Sequence, residues 1–401
     1  MKIKKVILAS MILSLSILTL TSCQYIQQFI EDNTVKPEPA KTTEEVPATS
    51  DETPVSTSKD IIPIISTTPL IPTLPIDDTT VTTTVDLDGF NYYGYNDLGT
   101  YPNSTNYKKL YDDLYAVCDD LYNSDTDLTD AKEITDEYGE TKNIYQFANV
   151  NYQKYNLDSD STKASQIAIA IFKTMLLDHP EFYFVSNIVY YNDATIKPTC
   201  NADYKDGAAR TLYKTKIEQY KAAVKEEFTI FDNTEEKKTR KIHDYIANNA
   251  SYSMVTKTVK VDGVPTEVEM ADPSTYAHNI LGIIINKKGV CESYAELFQL
   301  LMNDNDIECI MVTGKGYSSA DSTGEGHAWN YAKINSNWYG FDVTWDDPIG
   351  ALHIQHNYYG KVNSEFTNSH IPAVQGDFTK AYEYLYNLPT LASSDLTTFG
   401  L

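Results

Sequence analysis

The sequence predicts an α+β protein in which a helix that begins at a cysteine packs on an antiparallel sheet, preceded by a mainly helical region. Two patterns carry this. Apolar residues recur at helical spacing in several long segments, and between residues 307 and 347 that period gives way to short β-branched and aromatic runs joined by a two-residue turn. A third observation separates the folded part from what precedes it. Eight of the sixteen prolines lie between Pro37 and Pro75, among threonines, serines and acidic residues. Such a stretch buries too little apolar surface to offset the entropy of ordering. The chain therefore divides into a leader (1–22), a disordered Pro/Thr-rich tether (23–88), a mainly helical accessory region (89–230) and the domain that carries the chemistry (231–390).

In the leader, Lys2, Lys4 and Lys5 precede the uncharged apolar run Val6 to Leu20, and Leu20-Thr21-Ser22-Cys23 comes next. Charged, apolar and cleavage regions in that order are those of a secretory signal. The run is shorter than the roughly 20 residues that a membrane-spanning helix needs. It resembles the leader of bacterial lipoproteins, whose cysteine takes the lipid and becomes the mature N-terminus. The resemblance implies lipidation at Cys23, a lipid anchor in the cell membrane and a folded unit on its extracytoplasmic face. The formal charge is −24, and about −27 without the three leader lysines, 29 basic against 56 acidic residues. A field of that sign argues against nucleic acid and against direct adhesion to anionic lipid. With Cys23 assigned to lipid, Cys118, Cys200, Cys291 and Cys309 remain, without a CxxC pair or a His/Cys spacing that suggests zinc. If Cys291 stays free, at most one bridge can form among the other three.

The accessory region opens with "NYKKLYDDLYAVCDDLY", which sets Tyr107, Tyr111, Leu114, Tyr115, Cys118 and Tyr122 on one helical stripe, with Asp112, Asp113, Asp119 and Asp120 largely off it. Cys118 is thereby read as core. A second helix covers about 160–178, with Ile167, Ile171, Met175 and Leu176 inward; Pro180 ends it and "EFYFVSNIVYY" then suggests a strand. A third runs over about 206–228. A fourth, about 233–249, starts at a capping pair Asp232 and Glu235 and turns Ile242, Tyr245 and Ile246 inward. His243 lies beside that stripe and is read as packed or solvated, since nothing near it in sequence is a nucleophile to activate. "KTVKVDGVPTEVEM" alternates around Asp262-Gly263 and predicts a hairpin or flap over the next part of the chain. The 31 tyrosines are read as core and half-buried packing.

Gly289 then ends a turn, and a helix runs over about 291–304. Tyr294, Leu297, Phe298, Leu301 and Met302 fall on one stripe, with Cys291 one step earlier on it. The first helical turn offers free N–H groups and the positive end of the dipole. Both favour a thiolate, the reactive form of cysteine, and the same N–H groups suit a tetrahedral oxyanion. "IECIMVTG" (307–314) reads as a buried strand with Cys309 in the core, and "HAWNYAKI" (327–334) as the next strand. Asn335-Ser336 is the turn and "NWYGFDVTWDD" the return. That turn pairs Ile334 with Asn337 and Asp342 with Trp329, which leaves His327 diagonal to Asp342, roughly 7–8 Å away at the backbone. A one-residue slip would put the two on opposite faces. Trp329 is read as packing the hairpin or walling a cleft, Trp338 and Trp345 as core, and Asp346 and Asp347 as closing the strand before Pro348. His353 and His356 sit three apart with no third ligand of clear spacing, so no metal site is assigned.

"GVCESYAELFQLLMNDNDIECIMVTG" and, after it, "GHAWNYAKINSNWYGFDVTWDDP" resemble the transglutaminase-like superfamily, in its bacterial secreted or lipoprotein branch, over about residues 235–350. The resemblance implies a papain-like α+β core and a Cys-His-Asp triad carried by Cys291, His327 and Asp342. It implies chemistry on the amide bonds of a protein or cell-wall peptide through an acyl-enzyme, with no diffusible cofactor. Water as second nucleophile gives a peptidase or amidase, and an amine gives a transamidase. The second oxyanion donor stays open, with Tyr276, His278, Asn279 and Trp329 as oxyanion or cleft candidates. The competing reading is a non-catalytic binding or scaffolding module on the same fold, with the tyrosine-rich N-terminal region as contact surface.

Overall fold

The computed structural model describes residues 12–14, 93–135, 141–186, 188–191, 194–229, 231, 234–261, 264–319, 323–350, 353–380 and 384–396. Apart from the short strand Ile12–Ser14, the leader, the lipidation site Cys23 and the tether lie outside the described residues. No helix among the described residues is long and apolar enough to cross a membrane.

Three long helices build the accessory region: α1 (Ser104–Tyr122), α2 (Ser161–Asp178) and α3 (Gly207–Glu226). The stripe on α1 is buried at Tyr107, Tyr111, Leu114, Cys118 and Tyr122. Aspartates cap the other two. Asp160 accepts from the Lys163 N–H at 2.9 Å, and Asp206 from that of Ala209 at 2.8 Å; each satisfies a donor that the helix start leaves open. Between the helices, β1 (Ala131–Thr135), β2 (Thr141–Gln146) and β3 (Thr199–Asn201) form a small antiparallel sheet. The segment after α2 makes a tight 3-10 turn, Pro180–Phe182, before its strand begins at Ile188.

The second half holds α4 (Glu235–Asn249), the hairpin β4 (Met254–Val261) and β5 (Val264–Ala271), then α5 (Ile280–Asn286) and α6 (Cys291–Asn303). The cap of α4 is Thr234, whose hydroxyl accepts from the Lys237 N–H; the expected cap Asp232 lies outside the described residues. Strands β6 (Cys309–Gly316), β7 (Glu325–Ile334), β8 (Asn337–Phe341), β9 (Tyr359–Lys361) and β10 (His370–Pro372) form one antiparallel sheet in the order β9-β8-β7-β6-β10. Helix α6 lies on β6 and β7. Its inner stripe, Tyr294, Leu297, Phe298, Leu301 and Met302, is fully buried there. This is the expected arrangement of a cysteine-bearing helix on an antiparallel sheet.

The two halves share one continuous cluster of buried side chains, from Leu98 to Tyr386. Polar contacts cross position 230 as well. The Gln299 amide of α6 donates to the Leu177 carbonyl of α2 at 2.8 Å, and Asn279 donates to the Tyr204 hydroxyl at 2.8 Å. Many tyrosines serve this packing, with Tyr111, Tyr152, Tyr204, Tyr294, Tyr384 and Tyr386 among the largest fully buried side chains.

The hairpin register is the expected one: Ile334 faces Asn337 and Asn330 faces Phe341. Asn335 (φ 49°) and Ser336 (φ 69°) both take the left-handed conformation that a type I′ turn needs. Asparagine adopts it readily, whereas serine does so at a cost. The start of α4 steadies the turn, because Glu235 accepts from the Asn335 N–H at 2.6 Å and Glu236 from its side-chain amide. Ser336→Gly removes a left-handed penalty of about 1–2 kcal/mol, partly offset by the greater freedom of glycine in the unfolded chain. Its urea midpoint is expected to rise; a fall would show that the serine hydroxyl itself supports the turn.

Candidate active site

Cys291 is the first residue of α6, and the residue before it, Val290, offers no side-chain cap. The approach to this start is tight. Lys287 (φ 58°) closes α5, and a Cβ at Gly289 would lie 2.5 Å from that of Ser293. The glycine lets the turn pack against the first turn of α6. Cys291 is half-buried, whereas Cys118, Cys200 and Cys309 are buried, and all four thiols are free. Burial pushes the Cys200 thiol up to about 12 and raises Cys118 and Cys309 well above the ordinary value.

His327 comes from β7, opposite Gly314 of β6. A Cβ at Gly316 would lie 3.0 Å from His327 Cβ, so glycine makes room for the imidazole. Asp342 comes just after the end of β8 and is tied by its N–H, which donates to the Tyr358 carbonyl at 3.1 Å. His327 Nε2 donates to Asp342 Oδ2 at 2.7 Å. The His327 side chain also interacts with Cys291, which lines the same cleft. With Nε2 committed to Asp342, Nδ1 is the ring nitrogen left for another partner. Burial opposes the charged form of His327, but the charge and hydrogen bond of Asp342 and the contact with Cys291 outweigh it, raising its pKa to about 10. Burial likewise pushes the Asp342 carboxyl up, but His327 and His370 overcome this and hold it well below the usual carboxylate range.

Cys291 and His327 open on a cleft of about 600 Å³. Met254, Val268 and Met270 of the β4–β5 hairpin line it, so the segment expected as a flap forms one wall. Trp345, expected in the core, also lines the cleft and stacks on His327 at 4.9 Å. The difference has a local cause. The strand stops at Phe341 and the chain turns, with the Asp346 N–H donating to the Asp342 carbonyl, so strand alternation no longer governs where Trp345 points. Trp338 is half-buried and packs edge-on against Tyr93 at 5.5 Å.

None of the four oxyanion or cleft candidates lines this cleft. Tyr276 shares a hydrogen bond with the Tyr213 hydroxyl at 2.8 Å. His278 Nδ1 donates to Glu292 at 2.9 Å. Asn279 caps α5, accepting from the Leu281 N–H at 2.9 Å. Trp329 is buried beside His327 at a ring distance of 6.0 Å. His278 and Asn279 instead border a separate cavity of about 190 Å³ against α2. Beside Cys291, the backbone N–H groups at the start of α6 have no side-chain cap.

Two histidines missed as site-related lie close by. His370 Nε2 donates to Asp342 Oδ2 at 3.0 Å. It comes from a three-residue strand with no motif around it, and no sequence signal pointed there. His243, read as packed or solvated, is fully buried. It donates from Nδ1 to Asp244 at 2.9 Å and from Nε2 to Asp346 at 3.1 Å. Both ring nitrogens face carboxylates, so His243 is a buried cation. Arg240 donates to His356 Nδ1, and His356 Nε2 donates to Asp244 at 2.7 Å, which makes His356 the neutral Nε2–H tautomer. Among the described residues, His243, Asp244 and His356 form one trio close enough to hold a metal, and His327, Asp342 and His370 another. In each trio the imidazoles already spend N–H protons on the carboxylate, and a metal would have to replace them.

The His243 network has a pH signature. Burial disfavours the His243 cation, but Asp244 and Asp346 outweigh it and raise its pKa. Burial raises Asp244, but His243, His356 and Arg240 hold it well below the usual range. A raised histidine stabilises fully below its unfolded value of about 6.5, and loses that contribution as pH rises through the folded value. A depressed aspartate stabilises above about 3.9 and loses its contribution as pH falls. The network therefore stabilises most between about pH 4 and 6.5. His243→Leu leaves Asp346 without its buried partner and is expected to cost about 3–5 kcal/mol at pH 6. Urea denaturation across pH should also show a shallower loss of stability above pH 6.5 than in the parent; an equal slope would assign the titration elsewhere.

Residues 222–343 match the family model of the transglutaminase-like superfamily. Among solved structures, one neighbour is described as "a Putative Cysteine Protease from Cytophaga hutchinsonii", at 21% identity, covering 32% of this chain and 37% of that one, with a TM-score of 0.22. Another is described as "a TGase", at 16% identity, covering 51% of this chain and 55% of that one, with a TM-score of 0.27. The chain thus spans between about a third and about half of the length of these neighbours. A search of curated proteins finds no match. The segment that supplies Cys291, His327 and Asp342 is thus similar to the transglutaminase-like superfamily.

Proposed function

We propose that this protein is a cell-surface thiol enzyme that cleaves or exchanges amide bonds through Cys291, His327 and Asp342. One observation carries the reading: Cys291, at the uncapped start of α6, shares a cleft with His327, which interacts with it and bonds Asp342 at 2.7 Å. Asp342 holds the imidazole by Nε2–H and favours its charged form, so the proton of the thiol moves to Nδ1 and leaves a thiolate. The sulfur attacks the substrate carbonyl carbon. The N–H groups of the first helical turn stabilise the oxyanion that forms. The carbon–nitrogen bond then breaks, the imidazolium protonates the departing amine, and a thioester remains on Cys291. A second nucleophile attacks the thioester, His327 takes its proton, and the thiolate leaves. Water gives a peptidase or amidase, and an amine gives a transamidase. Hydrolysis of a protein or wall peptide is the simpler outcome, since it needs no second substrate path. A lipid at Cys23 and the 23–88 tether would hold the folded unit outside the membrane.

The test is the alkylation rate of Cys291 against pH, read by peptide mass mapping, with buried Cys118, Cys200 and Cys309 as internal controls. Cys291 is expected to react fast below pH 7 and to slow in His327→Ala. Turnover of a peptide substrate is expected to fall at least about 10³-fold in Cys291→Ala. A Cys291 that titrates as an ordinary thiol near pKa 8.5, with or without His327, sinks the proposal. The binding-module reading would then take its place.

A further inference from the structure

We propose that His370 is a positioning residue for this chemistry: a second, buried imidazole that fixes Asp342 so that Asp342 can fix His327. The inference rests on the proposed roles of Cys291 and His327. Asp342 is fully buried, and a buried carboxylate is tolerable only when its lone pairs are met by donors. Oδ1 accepts from the Trp345 N–H at 3.1 Å. Oδ2 accepts from two imidazoles, His327 at 2.7 Å and His370 at 3.0 Å. Without His370, Oδ2 would depend on His327 alone, the ring that must change protonation during the reaction.

His370 is itself held from several sides. Its ring lies parallel on Phe366 at 4.3 Å and against Trp345 at 4.6 Å and Trp329 at 5.1 Å. Its Nδ1 meets the Ser369 hydroxyl at 2.9 Å and the Phe366 carbonyl at 3.2 Å. The strand that carries it can reach the sheet only because residue 314 is glycine, where a Cβ would lie 2.1 Å from the Ile371 carbonyl oxygen. A carboxylate only accepts, so His370 presents Nε2–H to Asp342. His370 does not line the cleft, and its ring centre is 5.7 Å from that of His327, so it acts through Asp342 and not on substrate. The titratable groups facing Asp342 are His327 from β7, His370 from β10 and Tyr358 from the segment entering β9, with Cys291 of α6 behind His327. Asp346 bonds Asp342 through its N–H and turns its carboxylate to His243.

Two conservative variants separate positioning from packing. The terminal amide of His370→Gln reaches where Nε2 stood and can still donate to Asp342. That of His370→Asn sits where Nδ1 stood and cannot reach it. In the full chain, Cys291 alkylation at pH 6 is expected to slow about tenfold or more in His370→Asn, with kcat falling and KM little changed. His370→Gln is expected to stay within about threefold of the parent. A purely structural role would lower the urea midpoint of both variants and leave the pH–rate curve of Cys291 unmoved, which would overturn the proposal. Should the Asn variant fail to fold, ¹⁵N spectra of the parent imidazoles decide: a protonated, slowly exchanging His370 Nε2 supports the contact and an unprotonated one overturns it. A parent Cys291 that titrates as an ordinary thiol overturns the proposed function and this role together. A perturbed parent with Asn and Gln variants that behave alike overturns the role of His370 alone. Stoichiometric metal held by the His327, Asp342 and His370 trio in the purified protein would also overturn it.

Discussion

The site depends on keeping one carboxylate charged in the protein interior. Asp342 has no exposure, and water can do little to solvate it. Its charge persists because three N–H donors converge on it, from the backbone of Trp345 and from two imidazoles. Those donors come from separate parts of the sheet, β7 and β10, and from the turn after β8. The sheet must therefore be complete before the carboxylate is satisfied. The same constraint works outward: a charged Asp342 favours a charged His327.

The sheet and α6 meet this requirement through backbone details more than through side-chain volume. Glycines stand where chains must approach closely, at Gly289 before the cysteine, at Gly314 beside β10 and at Gly316 beside the imidazole. The left-handed pair Asn335 and Ser336 sets the hairpin register, and with it which residue stands opposite which. A helix start without a side-chain cap keeps its N–H groups available beside the thiol.

A second buried charge network adjoins the first. The short turn from Asp342 to Asp346 links them, since the Asp346 N–H donates to the Asp342 carbonyl while the Asp346 carboxylate holds His243. In a chain of formal charge −24, these interior pairs spend scarce cations on particular carboxylates. A buried pair of this kind is weak as a source of stability and costly to break, which makes it suited to fixing geometry. Here it ties α4 to the turn that ends β8.

Local structure and the placing of Cys291, His327 and Asp342 close together could be read from the chain alone. The stripe of α6, the place of Cys291 at its start and the Asn335-Ser336 register come from period and turn chemistry, and these act between residues near in sequence. Those elements were legible to within a residue or two. Contacts that depend on distant segments meeting were settled only once the chain had folded. His370, 28 residues beyond Asp342, joins it only because β10 pairs with β6. His243, 103 residues before Asp346, finds it only through the packing of α4. Trp345 turns to the cleft because the strand ends early, and Tyr276, His278 and Asn279 bond elsewhere because α5 and α6 close tightly on the accessory region. No periodicity records such contacts, since a three-residue strand or a lone histidine has no period. Their partners are set by the burial of charge, a property of the assembled core.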